Sequence, residues 1–519
     1  MKHFFIGKSP ETVGVSPAPG LKQSKGLEII CFAIFFGSML IKVPYFTRSG
    51  VLTSSPDLCS VFRQRRIKRI RYMDKDKKAV WGWVMYDWAN SAFATTVMAG
   101  FFPIYFKQYC SYGTDVNTST AQLAFGNALA GLFVALMAPV LGAIADRGSA
   151  KKKFLLFFAY LGVLMTAALF LVQKGDWLWA IFIYTMGIIG FSGANIFYDS
   201  LLPGVADESN IDYVSGWGFS MGYLGGGLLF LVNVLMVLMP EKFGLPDPET
   251  AVRYAFISVA LWWGVFTVFI ILWVPEKKTA DASSHGANFI IDGLRQFIDT
   301  FKKIRHLKTI LLFLFAYWFY IDGVDTIIRM AVDYGMSLGF ASNDLIVALL
   351  ITQFVGFPCA LAFGKLGQRW SVRKSIYLAI GMYIIITLWG TMMTGKREFY
   401  ILAIAIGCVQ GGIQALSRSY YSRLIPKNQA AEYYGFYNML GKFATILGPL
   451  LMGIVGLTAR RILMPASPTP EQIVAVGQLA SRWGIASILL LFLIGGTLFY
   501  FVDEEKGRAE AARLEEAGY

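Results

Sequence analysis

Charged side chains are scarce in this sequence: Asp, Glu, Lys and Arg together make up 15% of its 519 residues, whereas 56% of the residues are hydrophobic. A soluble globular domain carries about 25% charged residues. The apolar residues also fall in blocks of roughly 20, which is the length that crosses a hydrocarbon core of about 30 Å. The composition therefore excludes an ordinary soluble protein and predicts a multi-pass membrane protein.

Histidine and cysteine are rare too, with 3 and 5 residues. None of the histidines lies in an apolar block, and the cysteines show no Cys-x-x-Cys pair and no metal-ligand spacing. A membrane-embedded transferase would need clustered histidines and acids near the membrane surface, so it is the weakest of the functions considered. We expect no metal site and no cofactor.

Twelve apolar segments are long enough to span a bilayer, and they divide into two sets of six. The first set is predicted at 80–106, 121–144, 154–173, 177–198, 214–239 and 254–274. The second set is predicted at 309–332, 343–366, 375–394, 399–420, 433–457 and 482–502. We therefore expect an all-α integral membrane fold with an N-terminal six-helix bundle at 80–274 and a C-terminal one at 309–503.

The polar segments outside these bundles have separate interpretations. Residues 1–79 are interpreted as a basic N-terminal extension, and we favour Met73 as the native start. The alternatives are that the short apolar run 27–41 is an extra span, or the apolar region of a signal sequence, for which no clear cleavage site follows. The stretch 275–308 predicts a cytoplasmic linker containing an amphipathic helix on the membrane surface, because its apolar residues have helical spacing. Residues 504–519 predict a cytoplasmic tail.

The net charge of +14 does not indicate a nucleic-acid partner, because Lys and Arg collect in particular loops between the apolar segments. With the cluster at 63–78 placed inside, roughly 30 Lys and Arg lie in inside segments against roughly 9 outside, as the positive-inside rule requires. Both ends of the twelve-helix unit are then expected to be cytoplasmic. The expected location is the bacterial cell inner membrane, and the expected state is a monomer in contact with membrane lipids.

The second half of the chain repeats features of the first. The loop 142–152 shares Gly, Arg, Ser and a basic pair in register with the loop 364–374, about 222 residues later. Two further echoes occur in the same order, with 197–203 matching 420–426 and Asp87-Trp-Ala-Asn-Ser matching Asp322-Gly-Val-Asp-Thr. Parallel repeats of six spans imply two pseudo-symmetric bundles related by an axis along the membrane normal, which suits rocking alternating access.

These motifs carry a family resemblance over roughly residues 80–503. The Gly-x-x-x-Asp-Arg-Gly-x-x-Lys-Lys loop after the second span resembles the loop signature of the major facilitator superfamily. The segments 86–93, 320–327 and 411–419 resemble the branch that includes autophagy-related vacuolar amino-acid effluxers and bacterial "unknown major facilitator" proteins. The resemblance implies the major facilitator fold and a transporter of small molecules.

Polar residues within the spans are the candidate binding groups, because a carboxylate at the bilayer centre costs on the order of 3 kcal/mol and so usually faces a cavity or a partner. Asp325 and Arg329 share a helix face and can pair, which makes Asp322 the preferred titrating group; the alternative is a structural ion-pair network. The candidate substrate or ion site comprises Asp87, Asn90, Ser91, Asn195, Asp322, Asp325, Arg329, Gln410, Gln414 and Arg418.

The basic loops are predicted to gate the path rather than to bind the solute. The resemblance implies that Asp146 and Arg147 form a latch between helices. Gln368 stands where the repeated loop would carry an acid, so the second loop is expected to lack a charge-based latch. The predicted gating residues are Asp146, Arg147, Lys151, Lys152, Arg369, Arg373 and Lys374.

The sequence therefore favours a secondary transporter of a small polar solute such as an amino acid, with a proton or sodium ion as the candidate co-transported ion. The direction, efflux or uptake, stays open. The alternatives are a non-transporting sensor or a lipid flippase on the same fold, since a fold does not determine a substrate.

Overall fold

The computed structural model describes residues 77–114, 116–147, 150–276, 298, 307–338, 340, 342–443, 446–467 and 469–516. Within them every regular element is helical. Most of the N-terminal extension and the predicted amphipathic helix of the linker lie outside these residues.

The first set of spans forms helices α1 to α6. Helix α1 (77–110) changes from α to π geometry at Phe93, and π turns occur frequently at functional sites. Short 3-10 turns follow two of the other helices, at Leu169–Leu171 and Pro240–Phe243. The remaining helices are α2 (Val116–Arg147), α3 (Lys151–Ala168), α4 (Trp177–Val205), α5 (Ile211–Leu238) and α6 (Pro248–Trp273).

The second set contains two spans that are each built from two helices. Its first four spans are α7 (Lys308–Ser337), α8 (Ser342–Arg369), α9 (Val372–Met392) and α10 (Lys396–Leu424). A 3-10 turn at Lys427–Gln429 leads into the rest. The others are α11 (Ala430–Phe443), α12 (Leu447–Leu463), α13 (Pro470–Ser487), α14 (Leu489–Tyr500) and α15 (Glu504–Glu516).

The prediction of an all-α membrane fold is confirmed. Eleven helical segments of the described residues are long and apolar enough to cross a membrane, with α11 and α12 counted together and α13 and α14 counted together. Helix α1 precedes them and corresponds to the first predicted span. The chain runs alternately between two sides; the latch side is the one on which α2 and α8 end and α3 and α11 begin.

Two predicted spans differ from the structure. The span predicted at 433–457 is one uninterrupted segment in the sequence, but helix α11 ends at Phe443 and α12 begins at Leu447. The last span starts at Pro470 rather than at 482. There Thr469 accepts a hydrogen bond from the Gln472 backbone N–H and Pro470 occupies the first turn, a capping box that stabilises the helix start.

The C-terminal segment predicted as a tail forms helix α15 across the latch side. Glu510 accepts a hydrogen bond from Thr309 Oγ1 at 3.2 Å, and Glu515 accepts one from the Lys427 backbone N–H at 2.6 Å. Arg508 reaches the first bundle and pairs with Glu208 at 3.3 Å. Helix α15 therefore contacts both sets of spans.

Glycines at equivalent positions of the repeat allow the two sets of spans to approach closely on the latch side. A Cβ at Gly142 of α2 would overlap the backbone carbonyl of Ala431 in α11. A Cβ at Gly364 of α8 would lie 2.9 Å from the Asp212 carbonyl oxygen and 3.2 Å from the Gly216 Cα, both in α5. Small residues are the usual means by which membrane helices pack backbone to backbone.

We predict that Gly142→Ala weakens closure of the latch side, because overpacking of this kind costs about 1–3 kcal/mol. The readout is thiol labelling of Ser422→Cys, a position that is 4% exposed, in a chain whose native cysteines are replaced. Labelling from the latch side should accelerate at least about fivefold. Gly131→Ala in the same helix is the matched control, since no atom lies within 4 Å of its added Cβ; equal labelling of the two variants would contradict the close approach.

Candidate functional site

A cavity of about 860 Å³ lies between the two sets of spans, and we call it the central cavity. Its wall extends from Arg418, toward the latch side, to Lys107 and Phe399, near the opposite ends of α1 and α10. Nine of the ten predicted binding residues line it: Asp87, Asn90, Ser91, Asn195, Asp325, Arg329, Gln410, Gln414 and Arg418.

The latch-side end of the central cavity is occupied by an ion-pair cluster of Asp87, Asp199 and Arg418, which we call the Arg418 cluster. The Arg418 guanidinium lies 3.1 Å from Asp199 Oδ1 and 3.6 Å from Asp87 Oδ2. It also donates hydrogen bonds to the Ser215 hydroxyl at 3.0 Å and the Ser215 carbonyl at 3.1 Å. One cation of α10 therefore joins α1, α4 and α5 of the first set.

Aromatic rings enclose the guanidinium of the Arg418 cluster, and the residue is only 3% exposed. The guanidinium carbon lies 4.4 Å from the ring centroid of Phe219, 4.7 Å from that of Trp83 and 5.4 Å from that of Tyr198. Tyr198 Oη donates a 2.7 Å hydrogen bond to Asp87 Oδ2. Cation–π contacts stabilise a cation most where water is excluded, so the rings add to the ion pairs in stabilising the buried arginine.

The predicted latch residue Asp146 contacts the second set of spans. Its carboxylate accepts hydrogen bonds from the backbone N–H groups of Ala431 at 3.2 Å and Glu432 at 2.8 Å, in the first turn of α11. A helix N-terminus carries partial positive charge, which favours a carboxylate at this position. Lys151 Nζ lies 2.7 Å from the same carboxylate. The side chain of Arg147 lies outside what the structure describes.

The other loop residues predicted to gate the path contact their own set of spans. Lys152 Nζ donates to the carbonyls of Ile271 and Val274, at 2.8 and 2.6 Å, where α6 ends. Arg373 donates to the Tyr500 carbonyl at the end of α14. Lys374 lies over the ring of Trp370, and Arg369 is exposed. Lys152 and Arg373 therefore bind the ends of helices within their own set, and none of the four bonds to the other set within the part of the chain that the structure describes.

The loop after α8 makes a neutral contact at Gln368, the position that corresponds to Asp146. The Gln368 amide donates to the Ser209 carbonyl at 2.7 Å. An ion pair between the two sets is made by α10 instead: Arg423 pairs at 2.5 Å with Asp212 in the first turn of α5. An acid therefore lies at both helix starts, but not at corresponding positions: Asp146 of α2 bonds to the start of α11, whereas Asp212 belongs to α5 itself.

Asp322 does not lie in the central cavity, so its preference as the titrating group is not supported by its position. The residue is 0% exposed, and its Oδ1 accepts hydrogen bonds from the Gly448 backbone N–H at 2.9 Å and Thr326 Oγ1 at 3.2 Å. Gly448 lies in the first turn of α12. The break between α11 and α12 leaves backbone N–H groups without partners inside the helix, and Asp322 accepts one of them.

Asp325 and Arg329 face the central cavity, but no ion pair within 4 Å joins them among the described residues. Asn90 Nδ2 donates to Asn195 Oδ1 at 2.6 Å on the opposite wall. Lys442 of α11 also lines the cavity and interacts electrostatically with Asp325 and Arg329. Lys442 was not among the predicted binding residues, although a lysine within an apolar span is itself a signal of function.

Tyr198, Asp199 and Tyr223 are further cavity residues that were not among the predicted binding groups. Buried tyrosines are common in apolar helices, so the sequence gives no means of separating Tyr198 and Tyr223 from packing residues. Asp199 could have been predicted, because an acid in an apolar span is itself a signal of function. Among the described residues, no group of three His, Cys, Asp or Glu side chains could hold a metal ion.

Comparison with known proteins gives one family. Residues 75–462 match the family model described as "Vacuole effluxer Atg22 like". The chain is 38% identical over 426 residues to the uncharacterized MFS-type transporter YxiO of Bacillus subtilis, covering 82% of this chain and 94% of that protein. It is 22% identical over 489 residues to autophagy-related protein 22 of Yarrowia lipolytica, covering 78% and 79% of the two chains.

Solved structures with little sequence identity share the fold. The human organic anion transporter MFSD10 aligns with a TM-score of 0.55 at 15% identity, covering 82% of this chain and 99% of that one. The proton:xylose symporter XylE aligns with a TM-score of 0.56 at 12% identity, covering 84% and 97%. These similarities confirm the major facilitator architecture and give no information about the solute.

We predict that Arg418→Ala opens the latch side, because it leaves Asp87 and Asp199 buried without their cation. Removing one partner of a buried ion pair costs about 3–5 kcal/mol. Labelling of Ser422→Cys from the latch side should rise by at least about a hundredfold. Arg418→Lys keeps the charge but loses the planar fork, so it should give an intermediate rate; protection as strong as in the parent chain after Arg418→Ala would contradict the role of the cluster.

Proposed function

Because the chain belongs to the Atg22-like family of major facilitator transporters, we propose that it moves a small polar solute through the central cavity by rocking alternating access. As a member of that family it is a membrane transporter and not an enzyme. Amino acids are the first candidate solutes, because the matching family model is that of a vacuole effluxer and the motifs of the chain resemble those of vacuolar amino-acid effluxers. Both efflux and uptake fit the geometry.

The observation that carries this proposal is the unequal distribution of contacts around the central cavity. On the latch side, hydrogen bonds and an ion pair join the two sets of spans. The residues that make them are Asp146, Ser215, Gln368 and Arg423. The cavity wall itself continues to the opposite ends of the helices. A path that is sealed at one end by reversible polar bonds can be opened there by a small rotation of one bundle against the other.

The Arg418 cluster supports the proposal that transport is coupled to protons. Asp87 and Asp199 hold the arginine while they are ionised, and a proton on either carboxylate removes part of that attraction. Protonation from the cavity would therefore favour opening of the latch side. Asp87 replaces Asp322 as the proposed coupling residue, because Asp87 lines the cavity whereas Asp322 is bonded to α12. Sodium could occupy the same carboxylates.

The proposed setting is the inner membrane of a bacterium, with the latch side facing the cytoplasm and with the protein acting as a monomer. The orientation rests on the excess of Lys and Arg in the loops of that side. The cations at the helix ends on that side include Lys151, Lys152 and Arg373, where the helices would reach the membrane surface. Anionic lipid headgroups there would bind these cations in addition to their protein partners.

We predict that Asp87→Asn uncouples transport from the proton gradient, because the neutral amide removes the proton-binding group while leaving the side-chain volume. The measurement uses proteoliposomes containing the full chain and a mixture of radiolabelled amino acids as the probe. Uptake driven by an imposed pH gradient should fall by about tenfold or more, whereas solute exchange without a gradient should persist. Asp322→Asn is the comparison variant and should keep gradient-driven uptake in every correctly folded molecule. Gradient dependence that survives Asp87→Asn and disappears in Asp322→Asn would reverse the assignment.

A further inference from the structure

The charges lining the central cavity do not balance. The described residues of its wall include four cations and three acids, so the formal sum is +1. Asp87 and Asp199 both pair with Arg418, which makes the Arg418 cluster −1. The remaining wall carries three cations against one acid, a sum of +2: Lys107, Arg329 and Lys442 against Asp325.

Arg329 presents its guanidinium to this positive region. It is exposed and makes no hydrogen bond or ion pair with any residue that the structure describes. Tyr184 of α4, in the other set of spans, lines the same cavity. The five N–H donors of a guanidinium are thus available inside the cavity.

Lys442 brings a second cation to the cavity wall. It lies on α11, which contacts the α7 helix that carries Asp325 and Arg329, and all three residues line the central cavity. We call these three residues the Arg329 cluster. A cation at membrane depth is costly, and two like charges repel each other, so both features favour binding of an anion. Asp325 carries a single negative charge, so the formal charge of the Arg329 cluster is +1.

We infer that the solute is a small organic anion whose carboxylate, or an equivalent oxyanion such as phosphate, binds between Arg329 and Lys442. A guanidinium holds a carboxylate through two parallel hydrogen bonds, and the lysine adds a point charge. The volume of about 860 Å³ is in the range of small-molecule sites, and Gln410 and Gln414 can bind neutral polar groups of the solute. Acidic amino acids and dicarboxylates have this chemistry.

Transport of that anion rests on the proposed function, but its binding does not. The purified full chain in detergent is therefore tested first, by thermal unfolding at constant ionic strength in sodium chloride. The probes are glutamate, succinate, inorganic phosphate, alanine and lysine. Glutamate and succinate should raise the melting temperature more than alanine or lysine, and the phosphate arm shows whether the site prefers a carboxylate or a phosphate oxyanion.

Variants connect the shift to the Arg329 cluster. Arg329→Gln and Lys442→Gln should each weaken the apparent affinity for glutamate or succinate by about tenfold or more, as expected for loss of a charge-assisted hydrogen bond. Arg329→Lys should restore part of it. Arg461→Gln is the matched control, because Arg461 is an exposed cation at the end of α12 and does not line the cavity.

Three results would overturn the inference: stabilisation by alanine or lysine equal to that by the anions, no shift with any anion, or anion-dependent shifts that are unchanged in both Gln variants. Flux in proteoliposomes separates the two proposals. Variant-sensitive anion binding without flux would support the site and contradict transport. Flux of alanine with no preference for glutamate would support transport and contradict the anion site.

Discussion

The buried guanidinium of Arg418 is the constraint on which the rest of the structure depends. A cation that is 3% exposed inside a membrane protein must be compensated, and here the compensating carboxylates, Asp87 and Asp199, come from the other set of spans. The arginine therefore cannot be satisfied unless the two sets meet on the latch side. Its bonds are polar and reversible, so the same interaction that closes this side can be released by protonation or by competition. A purely apolar contact would give no such control.

The two halves of the chain share the same helix arrangement, but residues at corresponding positions make different contacts. Asn195 of α4 and Arg418 of α10 occupy corresponding positions, about 223 residues apart. Asn195 bonds to Asn90 within its own set, whereas Arg418 reaches across to the acids of the other set. Asp87 and Asp322 also correspond, yet Asp87 faces the cavity and Asp322 bonds to α12. At both pairs of corresponding positions, one residue joins the two bundles through its charge, and these residues are Arg418 and Asp87. Its counterpart, Asn195 or Asp322, makes hydrogen bonds within its own bundle.

Composition, span length and the repeated loops predicted the all-α fold and nine residues of the cavity wall, because helical spacing identifies a polar stripe on each helix. The spacing does not show how far each helix is rotated toward its neighbours. Asp322 and Asp325 are about 60° apart around the α7 axis, at 3.6 residues per turn, and that angle places one against α12 and the other in the cavity. The break between α11 and α12 could not be foreseen from an uninterrupted apolar segment. Lys442 could have been, since a lysine in such a segment is costly.

Paired spin labels test the central claim most directly, that polar bonds at one end of the cavity close one side and are released by protonation. One pair is Ser209→Cys with Trp370→Cys on the latch side, and the other is Tyr112→Cys with Lys396→Cys on the opposite side; all four positions are exposed. Distances are measured by pulsed electron paramagnetic resonance in lipid nanodiscs as the pH is lowered. If protonation releases these bonds, the latch-side distance should lengthen while the opposite distance shortens. Two distances that stay fixed, or that lengthen together, would contradict it.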